Sequence, residues 1–422
     1  MKKFIILLLF STPFAAETIS WEINQTKVFF VQNKEIPMID IAIAFHAGSR
    51  YAKPGLANFT AQSTMLGSKF LNKEQVNAKL SIVGSEMNAF VDEELVIYHL
   101  RTLSDVPVKT ISDQFHSAIF NAAFPSQEIR YQRQAILSNI AFEQDQPEEI
   151  AKGVLFKNLF PSAPKYVSST NGYTDTLENI HSSDLQQYHA KVLSQPDTSI
   201  IIVGDTTEEN ARQIAENLAY KSHPSAKRLE KEVLNKNNEP QSISIKPEQK
   251  QTYFLFATKI PVASTDKTFV TYLLLNEVLG GNSSSYLFQT LRDKEGLVYE
   301  IHSNIEAIDD FAILSISGQS KTNNTKNITT LLENTFNNQQ IDTVLAPKRI
   351  KIAKESLKNK LLLNVGNNQS KVMSILQTVK HNHEINYDQW LIETLDKITS
   401  NDIYEALKVL HSNQFYKVYV GC

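Results

Sequence analysis

Asn58, Ala61 and Gln62 lie within little more than one turn of a predicted helix. Positions four apart lie on one helix face, so Asn58 and Gln62 can act together on one ligand. Two histidines at this spacing, with a glutamate just before the second, could bind Zn²⁺ and activate its water. Carboxamides are poor zinc ligands, and alanine has no proton acceptor. By themselves these three residues therefore do not predict a metal site.

A second candidate pair, Arg292 and Tyr299, stands on either side of Gly296, which can end a helix and let a strand begin. A tyrosine phenol can donate to a carbonyl oxygen as that oxygen gains negative charge. The planar fork of arginine can bind carbonyl or carboxylate groups. The alternative is structural, with Arg292 paired to Asp293 or Glu295 and Tyr299 packed in a sheet.

Hydrophobic patterning predicts the elements that position these residues. Val28–Val31 and Met38–Phe45 are predicted strands of a hairpin, followed by a helix at about 55–68. Met87–Leu103 alternates as one strand. Further helices are expected near 73–83, 106–121, 126–144 and 147–159, and a further strand at 198–203.

One segment of the chain occurs twice. Residues 177–204 and 395–421 each combine a Ser/Thr–Asp helix start with a strand that ends in glycine, and the Leu-to-Gly spacings are 27 and 26. Residues 221–250 are polar and rich in turn formers, which is typical of a linker. We therefore expect domains at 17–220 and 251–422.

The stretch Gly55–Ser68 resembles the zinc-binding helix of the pitrilysin/insulinase/mitochondrial-processing-peptidase (M16) family. Active members carry Gly-Leu-Ala-His-Phe-x-Glu-His there, followed by Gly-Thr or Gly-Ser. Asn58 and Gln62 stand where the two histidines belong, and Ala61 where the glutamate belongs. The third ligand, a glutamate on a later helix, corresponds to Asn139. Four replacements together imply a subunit that does not bind catalytic zinc.

The resemblance continues at residues 291–299, which match the family pattern Leu-Arg-x-Lys-x-Gly-Leu-x-Tyr. It implies that Arg292 and Tyr299 bind substrate and its transition state in trans, at the zinc site of a partner subunit of the same family. No cofactor would belong to this chain, and Zn²⁺ would belong to the partner. The resemblance also implies an edge strand that binds the substrate peptide, here through Asn88, Ala89 and Phe90.

The fold that the resemblance implies is α+β. It consists of two tandem homologous domains, each a mostly antiparallel sheet packed with helices. The similarity covers essentially the whole chain after residue 16.

Residues 1–16 have the features of a bacterial signal peptide, with Lys2 and Lys3, an apolar core at 4–10 and small residues near Ala16. We therefore expect a soluble periplasmic protein without a membrane span. A net charge of −3 with both signs interspersed predicts no nucleic-acid partner. The single cysteine, Cys422, can form no internal disulfide.

Two functions are compatible with these features. The first is a non-catalytic subunit of a heteromeric periplasmic zinc metallopeptidase that supplies Arg292 and Tyr299 to a zinc-bearing partner. The second is an inert pseudopeptidase used as a peptide-binding or assembly module. His381 and His383 form a His-x-His pattern in a predicted loop, where a metal role is the less favoured interpretation. His46 and His99 are expected to pack in strands.

Overall fold

The computed structural model describes residues 17–163, 165, 169–219, 229–230, 241–245, 250–336, 340–363, 366–412 and 415–421. The predicted signal peptide, most of the predicted linker and Cys422 lie outside these residues. No helix in the described ranges is both long and apolar enough to cross a membrane.

The first half forms a six-stranded sheet in the order β1-β2-β6-β3-β5-β4. Its strands are β1 Thr18–Ile23, β2 Thr26–Gln32, β3 Met38–Phe45, β4 Glu86–Val91, β5 Val96–Leu103 and β6 Ser199–Gly204. Its helices are α1 Leu56–Thr64, α2 Lys73–Ile82, α3 Val108–Phe120, α4 Ser126–Gln144, α5 Pro147–Leu159, α6 Thr174–Glu178, α7 Ser182–Leu193 and α8 Glu208–Leu218.

The second half forms a five-stranded sheet in the order β7-β11-β8-β10-β9. Its strands are β7 Ser242–Ile245, β8 Gln251–Ile260, β9 Val298–Ile308, β10 Phe311–Lys321 and β11 Tyr416–Val420. Its α-helices are α9 Lys267–Leu279, α10 Thr325–Thr335, α11 Ile341–Val344, α12 Pro347–Leu363, α13 Asn368–Lys380, α14 Tyr387–Lys397 and α15 Ser400–Ser412, and a π-helix spans Phe288–Lys294.

The strand order confirms the predicted duplication. β7, β11, β8, β10 and β9 occupy the places that β2, β6, β3, β5 and β4 hold in the first sheet. In both halves the last strand, β6 or β11, runs parallel to one neighbour and antiparallel to the other. Because β7 corresponds to β2, the second sheet already begins at Ser242, inside the stretch predicted as a linker.

Two local predictions were wrong. β2 and β3 do not form a hairpin, because β6 inserts between them and pairs with both. The stretch Met87–Leu103 is not one strand but the antiparallel pair β4 and β5, joined by a turn in which the Asp92 side chain accepts hydrogen bonds from the amides of Glu94 and Leu95. Such a turn is typical of aspartate followed by polar residues.

The helices of each half cover one face of its own sheet. In the first half, strand residues such as Ile41, Tyr98 and Ile202 are fully buried against α1, α2, α3, α7 and α8. In the second half, Phe254, Leu314 and other strand residues pack against α9, α10, α12, α14 and α15. Removing these apolar side chains from water is the main contribution to folding of each half.

The opposite face of each sheet is covered by a helix from the other half. Helix α13 of the second half packs on β2, β3, β5 and β6 through four side chains: Val372, Ile375, Leu376 and Val379. Helix α5 of the first half packs on β8, β10 and β11 through Ala151, Leu155 and Leu159. This reciprocal exchange makes the two halves one packed unit.

Charged groups at the junction complete the exchange. Arg50, 1% exposed in its side chain, forms ion pairs with Glu94 of its own half and with Asp309 of the β9–β10 turn, where its Nη2 lies 3.1 Å from Asp309 Oδ2. Lys380, at the end of α13, lies 3.2 Å from Asp92 and 3.5 Å from Glu93. A buried cation with two carboxylates is costly to break, since the remaining charges stay desolvated.

We expect Arg50→Met to lower the free energy of unfolding by about 3–5 kcal/mol, because Glu94 and Asp309 lose their buried counter-charge. Urea unfolding monitored by circular dichroism measures this change. The matched control is Lys109→Met, which removes a pair whose side chains are 80% and 58% exposed. That change should cost about 0.5 kcal/mol or less. Equal effects of the two substitutions would contradict a structural role for the buried pair.

Candidate functional site

The replaced metal motif on α1 is filled by hydrogen-bonded carboxamides. Asn58, 6% exposed, donates to Asn171 Oδ1 at 2.7 Å and accepts from Gln62 Nε2 at 3.0 Å. Gln62 in turn accepts from Gln132 of α4. Asn171 donates to Glu143 Oε1 at 2.6 Å. These four carboxamides and the Glu143 carboxylate, called the amide chain below, join α1, the middle and the C-terminal end of α4, and the loop before α6.

The amide chain does not fit a catalytic zinc ion. Each carboxamide is engaged by its neighbours, and the nitrogens of Asn58 and Gln62 are used as hydrogen-bond donors. Ala61, at the place of the general base, is 0% exposed and packs in the core. Across the described residues, no three His, Cys, Asp or Glu side chains converge where they could hold a metal ion. We therefore derive no metal-dependent step in this chain.

Asn139 lies on α4 between Gln132 and Glu143, close to the same helical stripe. Its side chain is exposed, and it takes no part in the amide chain. Gln132, Glu143 and Asn171 were not predicted from the sequence. The spacings of seven and four residues from Asn139 on a predicted helix could have indicated Gln132 and Glu143. No local pattern indicates Asn171, which is 113 positions from Asn58.

Arg292 and Tyr299 stand on the second half, at the start of edge strand β9. Arg292 lies in the π-helix and places its guanidinium 4.6 Å from the centre of the Phe288 ring. Gly296 follows with φ of 61° and ends the helical segment, as predicted. Within the described chain Arg292 forms no ion pair, and Glu295 lies instead beside Lys294 at 3.4 Å. The structural alternative for Arg292, a pair with a local acid, is therefore not what the chain adopts.

Tyr299 is the extra residue of a β-bulge. Val298 pairs with Ser320 and Glu300 pairs with Gln319, so Tyr299 has no partner in the β9–β10 ladder. A bulge re-aims side chains, and here the tyrosine is 50% exposed and not packed in the sheet. Both irregular features, π-helix and bulge, coincide with the two predicted residues. Such irregularities are frequent at functional sites.

The predicted peptide-binding strand is the edge of the first sheet. Asn88, Ala89 and Phe90 lie on β4 opposite His99, Tyr98 and Ile97 of β5. The hydrogen bond from Asp92 N to Leu95 O shows that Asp92, and with it every second residue back along β4, directs its main-chain N–H and C=O toward β5. Main-chain groups of residues 87, 89 and 91 therefore point away from β5. In the described chain no other backbone group bonds to them, so this edge is open for a further strand.

The corresponding edge of the second sheet is partly closed. Ser303 N of β9 donates to Gly280 O at the end of α9 at 3.1 Å. A Cβ at position 280 would lie 2.6 Å from Ser303 N, so only glycine allows this approach. The two halves thus share a topology but differ at these corresponding edges. In the described chain the β4 edge is open along its length, whereas the β9 edge is partly closed.

Known structures share this fold along almost the whole chain. A structure described as peptidase M16 inactive domain from Pseudomonas fluorescens has a TM-score of 0.86 at 20% identity and covers 96% of this chain and 98% of that one. A protease from Helicobacter pylori has a TM-score of 0.80 at 16% identity and covers 96% and 99%. Fold and amide-filled motif together define a pseudopeptidase-type protein.

Two family models agree and match consecutive parts of the sequence. The model described as Insulinase (Peptidase family M16) matches residues 27–168, and that described as Peptidase M16 inactive domain matches 179–357. Together they span about three quarters of the chain, which belongs to peptidase family M16.

Similar curated proteins carry both active and inactive descriptions. A Helicobacter pylori protein called non-peptidase homolog YmxG is 22% identical over 424 residues, which is 97% of this chain and 95% of that protein. A Bacillus subtilis protein called uncharacterized zinc protease YmxG is 22% identical over 361 residues, 83% and 84% of the two chains.

We expect Asn58→Ala to lower the free energy of unfolding by about 1–3 kcal/mol, because Asn171 and Gln62 lose their shared partner inside the protein. Thermal and urea unfolding measure this effect. Asn139→Ala is the matched control, since the same deletion on the exposed face should change stability by about 0.5 kcal/mol or less. If the two variants are equally stable, the amide chain does not hold α1 to its neighbours.

Proposed function

We propose that this chain is the non-zinc subunit of a heteromeric periplasmic metallopeptidase. The single observation that carries the proposal is the contrast between the two halves. The positions that correspond to the metal motif carry an amide chain, while Arg292 and Tyr299 are exposed on an irregular surface, Arg292 over the Phe288 ring and Tyr299 at a β-bulge. A chain that has lost one half of a site and kept the other needs a second chain to complete it.

The chemistry of the retained pair suits a peptide that is being cleaved. The Tyr299 phenol can donate a hydrogen bond to the scissile carbonyl oxygen as negative charge develops there. The exposed Arg292 guanidinium, which lies over the Phe288 ring, can bind a neighbouring carbonyl or carboxylate. Both interactions strengthen in the transition state, so they raise the rate without forming a covalent bond.

The partner is a member of the same family with an intact H-x-x-E-H motif, and Zn²⁺ belongs to that partner. The N-terminal residues 1–16, with their basic start and apolar core, support export to the periplasm. A signal peptide on both proteins would bring the two half-sites to one compartment.

We expect the mixture of this chain and its zinc-motif partner to cleave quenched fluorescent peptides, and neither protein alone to do so. The Arg292→Ala/Tyr299→Phe variant should lower the rate of the mixture by about 100-fold, the typical effect of removing a group that stabilises a developing oxyanion.

The matched control is Lys109→Ala/Tyr131→Phe, which removes an exposed cation and an exposed phenol on helices of the first half. It should leave the rate of the mixture unchanged. Equal rates for wild type and the Arg292/Tyr299 variant would show that the pair does not act in trans.

The second candidate function is peptide binding without hydrolysis, and the open edge of β4 favours it. Main-chain groups of residues 87, 89 and 91 can pair with an extended peptide in a sequence-tolerant way. This function needs neither Arg292 nor Tyr299.

We expect Ala89→Pro to weaken peptide binding by about tenfold, because proline removes an outward amide donor without removing a bond to β5. Fluorescence anisotropy of a labelled extended peptide measures the affinity. Asn88→Ala, which changes a side chain on the same strand and keeps the main chain, should bind as wild type does. A proline variant with unchanged affinity would exclude strand addition at β4.

A further inference from the structure

A cavity of about 440 Å³ lies between the second half of β9 and helices α9, α13 and α14. Its apolar floor is formed by side chains that include Phe269, Leu273 and Leu391. A second cavity of about 430 Å³ adjoins it at the junction of the two halves. The two share Glu306, Ala307, Lys380 and His381 in their walls.

One wall of the larger cavity is aromatic. The rings of His383 and Tyr387 stack at 3.6 Å with an angle of 3° between their planes, and Trp390 stacks on Tyr387 at 5.3 Å. The Tyr387 hydroxyl donates to Ser264 O at 2.7 Å, which fixes the ring. Ring stacking and this hydrogen bond hold His383 and Tyr387 in place, and the two rings give the cavity apolar area.

Carboxylates outnumber cations in the lining of both cavities, and the larger one has Glu306 and Asp388 against Lys380. Five carboxylates and two cations line the smaller cavity: Glu93, Glu94, Glu306, Asp309, Asp310, Arg50 and Lys380. Lys380 is balanced by Asp92 and Glu93. Burial lowers the pKa of His381 and of His383 to about 4, so both rings are neutral near pH 7.

Glu306 takes part in none of the ion pairs that Arg50 and Lys380 form at this junction. It forms no hydrogen bond or ion pair with any described residue, although water can reach it through the cavity. Its side chain is exposed at the wall that the two cavities share, where Lys380 also lies. A cation entering the larger cavity would therefore meet a carboxylate that is free to form an ion pair.

We infer that this cavity binds a primary ammonium or guanidinium group on a short aliphatic stem. The stem would lie on the floor at Phe269 and Leu391, and the cation would pair with Glu306 near the aromatic wall. Two sources carry this chemistry: a free aliphatic amine, and the side chain of a lysine or arginine in a peptide. The inference does not depend on Arg292, Tyr299 or a partner subunit.

Main-chain groups of β9 can distinguish a lysine within a peptide from a free amine. The bond from Ser303 N to Gly280 shows that odd-numbered residues of this strand point their main-chain groups away from β10. The groups of Ile305 and Ala307 therefore point in the same direction, beside the cavity. A lysine in an extended peptide could pair with them, whereas a free amine could not.

The experiment titrates the isolated chain with n-pentylamine, with 1-pentanol and with Nα-acetyl-lysine N-methylamide, followed by calorimetry and by amide chemical shifts. We expect both cations to bind and pentanol to bind at least tenfold more weakly. Glu306→Gln should weaken amine binding at least tenfold, and shift changes should centre on Ala307 and Leu391. Tighter binding of the lysine derivative than of pentylamine would identify a peptide side chain as the ligand, and equal binding a free amine.

The matched control is Glu300→Gln, an exposed carboxylate on the same strand outside the cavity, which should bind as wild type does. Circular dichroism of both variants shows that they are folded. Pentanol binding equal to that of pentylamine, or a Glu306→Gln variant with wild-type affinity, would overturn the inference. Since no partner or cleavage is involved, this outcome is separate from that of the reconstitution test.

Discussion

Each sheet of this protein has two apolar faces and only enough helices in its own half to cover one. The second face is covered by α13 for the first sheet and by α5 for the second. This exchange explains why the halves form one unit and why charged contacts such as Arg50–Asp309 lie at their junction. Both cavities lie beside α13, whose last residue, Lys380, lines each of them. Loss of either exchanged helix would expose an apolar face of several strands.

The replaced motif shows how a fold can keep a metal site's framework after the metal chemistry is gone. In the first half, carboxamides bridge α1 and α4 through hydrogen bonds between neutral groups. Between α9 and α12 of the second half, the buried Glu277 carboxylate pairs with Lys360 and accepts from Ser356 at 3.2 Å. Both solutions connect two helices with polar groups that satisfy one another, as buried polar groups require. The space between each pair of helices is thus occupied by side chains that satisfy one another's hydrogen bonds.

Much of the fold could be predicted from sequence because local signals are strong. Helices α2 to α5 formed at the predicted positions, and the repeated helix–strand segments of residues 177–204 and 395–421 revealed the duplication. The predicted hairpin of β2 and β3 failed because the strand that separates them, β6, comes more than 150 residues later, and no local pattern reports such an insertion. The amide chain was missed for the same reason, since Asn171 reaches Asn58 only through tertiary packing. The π-helix at Arg292 has the same apolar periodicity as an α-helix over seven residues, so sequence does not distinguish them.

The unpaired border of β4 has a cost when no ligand covers it. An exposed row of amide and carbonyl groups is a template for aggregation, and proteins usually protect it with charge or keep it short. Here the strand has only six residues, starts at the exposed carboxylate of Glu86 and ends next to Asp92 and Glu93. Lys380 balances one of the two charges of Asp92 and Glu93, so a net negative charge remains at each end. It disfavours a second copy in antiparallel register, while an uncharged or basic chain meets no such barrier. The same carboxylates that disfavour pairing with a second copy therefore also select which peptides can pair with β4.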